Sequence, residues 1–117
     1  MSSDRRHAQL ERLRQEYARL RGELNQLGYV LQGSVTVRRL PCGKEACACT
    51  TDVRARHGPY FQWSRKREGR TVSAYLTPEQ AALSRQWIEN NRRLERVVRK
   101  MRALSLRVAG LHEIPKL

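Results

Sequence analysis

The pattern Cys42-x4-Cys47-x-Cys49-x7-His57 constrains this chain more than any other stretch, because it gathers every cysteine and one of three histidines into sixteen positions. Thiolate sulfur and imidazole nitrogen bind zinc tetrahedrally, and Cys3His is an established closed structural set. Ion binding of this kind releases free energy that a short, loop-rich segment cannot obtain from its own apolar core. The spacing therefore predicts a structural zinc knuckle with Cys42, Cys47, Cys49 and His57 as ligands. The plainer alternative is three ordinary cysteines in a loop, with His57 serving a turn. A disulfide framework fits less well, since the count is odd and no secretory signal opens the chain. Iron–sulfur ligation would make His57 an unusual fourth ligand. Catalytic zinc needs an open position and a nearby acid or base, and only Glu45 and Asp52 lie close in sequence.

Around this stretch the chain reads as one α+β domain spanning 1–117. A first helix is predicted over about residues 3–27, with Ser3 or Asp4 as cap and Gly28 as stop. Its apolar residues Leu10, Leu13, Tyr17, Leu20, Leu24 and Leu27 step by 3 and 4, a heptad stripe. Alternation at Val35 and Val37 predicts a strand over about 34–40, ended by Pro41. The aromatic run Tyr60-Phe61-Gln62-Trp63 predicts a second strand. Glu68-Gly69 suits a hairpin turn, and Val72, Ala74 and Leu76 alternate in a third strand. Together they form a three-stranded antiparallel insert over about 34–76, with the ligand loop between its first two strands. Thr77-Pro78-Glu79-Gln80 is a capping box with proline at the first helical position. The second helix is predicted over about 78–109, with Gly110 as stop. Its stripe is Leu83, Trp87, Asn90, Leu94, Val97, Met101, Leu104 and Val108.

Two heptad-patterned helices flanking a β insert predict an antiparallel, coiled-coil-like hairpin. A lone helical pair buries little apolar surface, so a homodimer or a larger protein partner is expected as readily as a monomer. Asn90, inside the stripe, is read as a device for register or oligomer state. No apolar run approaches the ~20 residues of a membrane span, and no signal peptide is evident, so a cytoplasmic location is expected.

Charge narrows the partner. Lys and Arg number 24 against 11 Asp and Glu, a net +13. Residues 34–77 hold 9 of the basic and 3 of the acidic groups, the densest excess in the chain. Lysine stands only at 44, 66, 100 and 116, so guanidinium groups, which favour bidentate phosphate contacts, carry most of the charge. Such a balance points to an anionic partner, nucleic acid first and DNA before RNA. The candidate contacts are Arg38, Arg39, Lys44, Arg54 and Arg56 around the loop, then Arg65, Lys66, Arg67 and Arg70 at the hairpin tip. Arg92, Arg96 and Arg99 could line one face of the second helix. Tyr60, Phe61 and Trp63 are interleaved with this charge; Phe61 and Trp63 are read as core rather than as base-stacking surfaces.

The stretches Cys42-Gly-Lys44-x-x-Cys47-x-Cys49, His57-Gly-Pro-Tyr60, Gly69-Arg-Thr, Tyr75-Leu76 and Thr77-Pro78-Glu79-Gln80 resemble a family of small bacterial and archaeal domains with no assigned function. The resemblance covers roughly residues 27–108, and Phe61 stands where relatives tend to have a second tyrosine. It implies company with transposases and other mobile elements, and no catalytic residues come with it. The expected activity is non-enzymatic: a nucleic-acid-binding accessory protein with structural zinc, as the small partner of a transposase- or nuclease-like complex. The alternative is a coiled-coil protein–protein adaptor without nucleic-acid contact. No nucleophile–base pair, paired carboxylates or phosphate-cradling glycine loop argues for an enzyme.

Overall fold

The computed structural model describes residues 3–116. Helix α1 spans Ser3–Asn25, strands β1, β2 and β3 span Ser34–Leu40, His57–Arg67 and Arg70–Leu76, and helix α2 spans Pro78–Leu111. The chain divides into two compact units, Met1–Val30 with Asn90–Leu117, and Leu31–Glu89. Helix α2 thus begins in one unit and ends in the other.

The helical unit is held by a seam of apolar side chains. Leu13 and Leu20 of α1 are buried with Val97 and Leu104 of α2, and Tyr17, Leu24, Met101, Val108 and Leu111 pack against them. Arg6 near the start of α1 meets His112 just past the end of α2, at 3.3 Å. At the other end the Asn90 side-chain amide donates to the Tyr29 carbonyl at 2.9 Å. Asn90 therefore ties down the chain leaving α1, a local job that differs from the expected register device between helices. Helix α1 also stops earlier than Gly28, at Asn25, and the next residues form turn bonds to the carbonyls of Glu23 and Leu24.

The sheet is a meander in the order β1-β2-β3, antiparallel throughout. Val35 and Val37 sit opposite Trp63 and Phe61, and Leu76, Ala74 and Val72 continue that face on β3. Arg85 of α2 lies over the Phe61 ring at 5.6 Å, and the Trp63 indole N–H donates to the Gln32 carbonyl at 2.9 Å. Both aromatics are half-buried, and neither reaches the full burial expected of core residues. Arg67 pairs with Arg70 across the two-residue turn, where Glu68 and Gly69 both have positive φ, 50° and 78°. That is the signature of the tight hairpin turn whose twist matches the strands.

Helix α2 opens as its sequence predicts. The Thr77 hydroxyl accepts from the Gln80 amide at 3.1 Å while the Gln80 side chain accepts from the Thr77 amide at 2.9 Å. Its first half buries Ala81, Ser84 and Ile88, whereas Leu83 is 49% exposed. At 100° per residue Leu83 points well away from that face, so bulk was a poor guide to which side turns inward. The far end also departs from expectation. Gly110 stays helical, and Glu113 takes the left-handed conformation, φ 60°. The Ile114 and Glu113 amides bond back to the Ala109 and Gly110 carbonyls, the Schellman pattern.

Leu104→Ala should cost about 2–5 kcal/mol in urea unfolding, whereas Leu106→Ala, exposed on the same helix, should stay within about 0.5 kcal/mol. Asn90→Leu, which removes the tie to Tyr29, should lower stability by about 1–3 kcal/mol; a higher melting temperature would restore the register role.

Candidate metal centre

Residues 41–56 join β1 to β2 with two single-turn 3-10 segments, Ala48–Thr50 and Val53–Ala55, as their regular structure. A loop this long inside a small unit needs something to hold it. Cys49, 3% exposed, is the one buried residue in it. The backbone delivers the other ligands to that point. Leu40 pairs with His57 across a register shift in the β1–β2 ladder, so Cys42 and His57 leave the sheet side by side. Gly58 follows with φ 132°, and a Cβ there would lie 2.8 Å from the Arg38 carbonyl. Only glycine lets the two strands approach so closely beside His57. Within the loop, the Cys47 amide donates to the Lys44 carbonyl at 3.1 Å, and the Thr50 amide donates to the Cys47 carbonyl at 3.1 Å. The Thr50 hydroxyl also donates to Lys44, at 3.1 Å, and Asp52 accepts from the Arg54 amide at 2.9 Å.

The three sulfurs and one imidazole nitrogen all lie within 4.8 Å of one another. Cys42 Sγ is 3.5 Å from Cys49 Sγ, and Cys47 Sγ is 3.3 Å from His57 Nε2. Zinc–sulfur bonds of about 2.3 Å and zinc–nitrogen bonds of about 2.0 Å imply tetrahedral edges of about 3.5–3.8 Å. The two short edges match within a few tenths of an ångström, and separations of up to 4.8 Å elsewhere in the cluster would draw in by about 1 Å around one ion. Four protein ligands around one ion would fill a tetrahedron.

The sulfurs also tune one another. Hydrogen bonding from the Cys49 backbone amide, then from the Cys49 and Cys42 side chains, holds the Cys47 pKa below the usual thiol range. At Cys49 the largest single influence is the Cys42 amide, which donates to its sulfur at 3.3 Å and acts downward. Burial and the neighbouring Cys47 and Cys42 sulfurs outweigh it, and the Cys49 pKa is raised. A metal would hold all three as thiolates and remove that conflict.

The family model for a domain of unknown function, DUF6788, matches residues 5–86. The chain belongs to this family. The DUF6788 match takes in nearly all of α1, which the resemblance to the Cys and His-Gly-Pro-Tyr motifs left out, and stops within the first half of α2. No curated protein and no solved structure matches the chain significantly.

The basic residues singled out by sequence are spread over several elements of this DUF6788 chain. On β1, Arg38 donates to the Gln62 side chain at 3.2 Å and Arg39 to the Gly58 carbonyl at 3.3 Å. In the loop Lys44 and Arg56 are exposed, and Arg54 lies 3.5 Å from Asp52 in an exposed ion pair. Arg65 lies over the Trp63 ring at 5.0 Å, Lys66 donates to the Thr71 hydroxyl at 2.9 Å, and Arg67 and Arg70 flank the turn. Arg92, Arg96 and Arg99 are exposed on α2, in the other compact unit. Tyr75 escaped the sequence reading as a surface residue. It lies against Tyr60 at 6.2 Å between ring centroids, and the period-two alternation of β3, followed one residue past Ala74, would have found it. Among the described residues no helix is long and apolar enough to cross a membrane.

Purified protein should carry one divalent ion per chain by native mass spectrometry, and Cys49→Ser should lose it. Chelation should speed tryptic cleavage after Arg54 and Arg56 while the α2 helix keeps its circular dichroism. Metal-free protein with an equally resistant loop would remove the site.

Proposed function

We propose that this protein is a non-enzymatic nucleic-acid-binding accessory protein, built around a structural zinc ion held by Cys42, Cys47, Cys49 and His57. Zinc is favoured among metals because three thiolates and an imidazole in a closed set suit a borderline-soft ion with no redox chemistry. The observation that carries the nucleic-acid reading is the charge of the sheet. Its three strands contain six arginine and lysine residues and no aspartate or glutamate. Net charge of +13 with so little local compensation costs self-repulsion, and a polyanion relieves it. The ion's part is to keep the loop with Lys44, Arg54 and Arg56 in one shape beside that sheet. DNA is preferred over RNA, and the small partner of a transposase- or nuclease-like complex, working in the cytoplasm, fits a protein with charge but no catalytic set.

A second reading rests on a separate feature. Tyr17, Leu24, Val98, Met101 and Leu106 line an open, mostly apolar hollow along the helical unit. The two helices, taken as an antiparallel coiled-coil-like hairpin, would there accept a further helix from a second copy or a larger protein. On this reading the protein is an adaptor, and its affinity for nucleic acid is incidental.

A salt titration separates the two. Neutralised phosphates make log affinity fall linearly with log salt, by about 0.7–0.9 per contact. Replacing Arg65, Lys66, Arg67 and Arg70 with alanine should flatten that slope by about 3 and leave the unfolding transition in place. An unchanged slope takes the hairpin tip out of the interface.

A further inference from the structure

The two faces of the sheet are chemically unlike. One holds Phe61 and Trp63, each already engaged, by Arg85 and by the Gln32 carbonyl. The register places Tyr60, Gln62, Ser64 and Lys66 on the opposite face of β2, with Arg38 across from Tyr60 and Tyr75 across from Gln62. Tyr60 and Tyr75 are 42% and 59% exposed, edge to face with planes 66° apart. Two large rings left in water on a sheet face cost hydrophobic free energy that a ligand could recover.

We propose that this face binds single-stranded nucleic acid, stacking unpaired bases on Tyr60 and Tyr75. The inference rests on the nucleic-acid reading above and names the form of the ligand. Three features choose a single strand. Bases inside a duplex are covered by their neighbours, and flat aromatic surfaces reach only bases that are unpaired. The ring centroids are 6.2 Å apart, nearly twice the ~3.4 Å rise of stacked bases, and the planes are steeply tilted. Two successive bases cannot stay stacked on each other while each lies on its own tyrosine, so the strand must be splayed. The groups between and around the rings suit the rest of a nucleotide. Arg38 and Lys66 stand toward opposite ends of the face as phosphate partners, and Gln62, whose side chain accepts from Arg38, lies in register with Tyr75 as a partner for base edges. An acidic protein would satisfy the charge but would leave the two ring faces without a matching surface.

The test compares a fluorescein-labelled oligothymidylate with a labelled duplex of mixed sequence by anisotropy. The native protein should prefer the single strand. Replacing both residues, Tyr60→Ala with Tyr75→Ala, should weaken oligothymidylate binding about 30-fold or more with the salt slope unchanged. The Tyr60→Phe with Tyr75→Phe pair should stay within about threefold, because stacking needs the ring and not the hydroxyl. Circular dichroism and metal content of each variant control for folding. Native-like binding by the alanine pair, or duplex bound as tightly as single strand, overturns the stacking face and leaves nucleic-acid binding standing. Poly-glutamate binding as tightly as the oligonucleotide reduces the surface to charge attraction and overturns it too. A native protein that binds neither nucleic acid sinks this inference and the reading beneath it together.

Discussion

The pairing of Leu40 with His57 is the constraint on which the candidate centre depends. Residues 41–56 form a long loop whose closure costs entropy, and that loop offers almost no apolar surface in return. The β1–β2 ladder closes it from outside, bringing the chain ends together through backbone hydrogen bonds. Once the ends meet, Cys42 and His57 are neighbours, and the turn over Ala48–Thr50 needs only to fold Cys47 and Cys49 back toward them. Sheet and ligand cluster therefore support one another. The ladder supplies the entropy of closure, and an ion would supply the cohesion that the loop's side chains lack.

The same strands give the chain its chemical asymmetry. Strand β2 is central, so both of its edges are paired, with β1 on one side and β3 on the other. One face takes Phe61 and Trp63 toward apolar and cationic partners, and the other is left with tyrosines, amides, hydroxyls and cations. Glycine at 58 permits the approach that places His57 in the ladder, and the tight turn at Glu68-Gly69 fixes which β3 residues lie opposite. A slip of one residue there would send Tyr75 to the Phe61 face and Leu76 into water. The surface proposed for binding thus depends on the β2–β3 register, and the candidate metal centre on the β1–β2 register.

Much of this was legible beforehand, and particular residues show why. The clustered Cys and His residues, the three strands, the hairpin turn and the start of α2 follow from short-range rules, in which nearby residues specify their own geometry. Cys42, Cys47, Cys49 and His57 were close in sequence, so their candidacy was legible, while their convergence waited on the β1–β2 ladder. The errors lie where a residue's role depends on what it packs against. Leu83 looked like core because it is large and suitably spaced, yet Ala81 and Ser84 turn inward. Gly110 looked like a stop, but the helix continues to a residue able to close it, Glu113. Asn90, read as a device for register or oligomer state, has a bond the sequence did not suggest, to the Tyr29 carbonyl.

The amino-acid sequence by itself determined which segments are helix and which are strand, which residues are candidate ligands and the surplus of positive charge. Each of these is a property of composition or of neighbours a few positions apart. Tertiary structure alone decided that the four ligand atoms fall within one coordination sphere, which half of α2 buries which face, and that Tyr60 and Tyr75 share a surface. Those facts depend on strand register and helix rotation, which arise only when distant parts of the chain compete to bury the same apolar area.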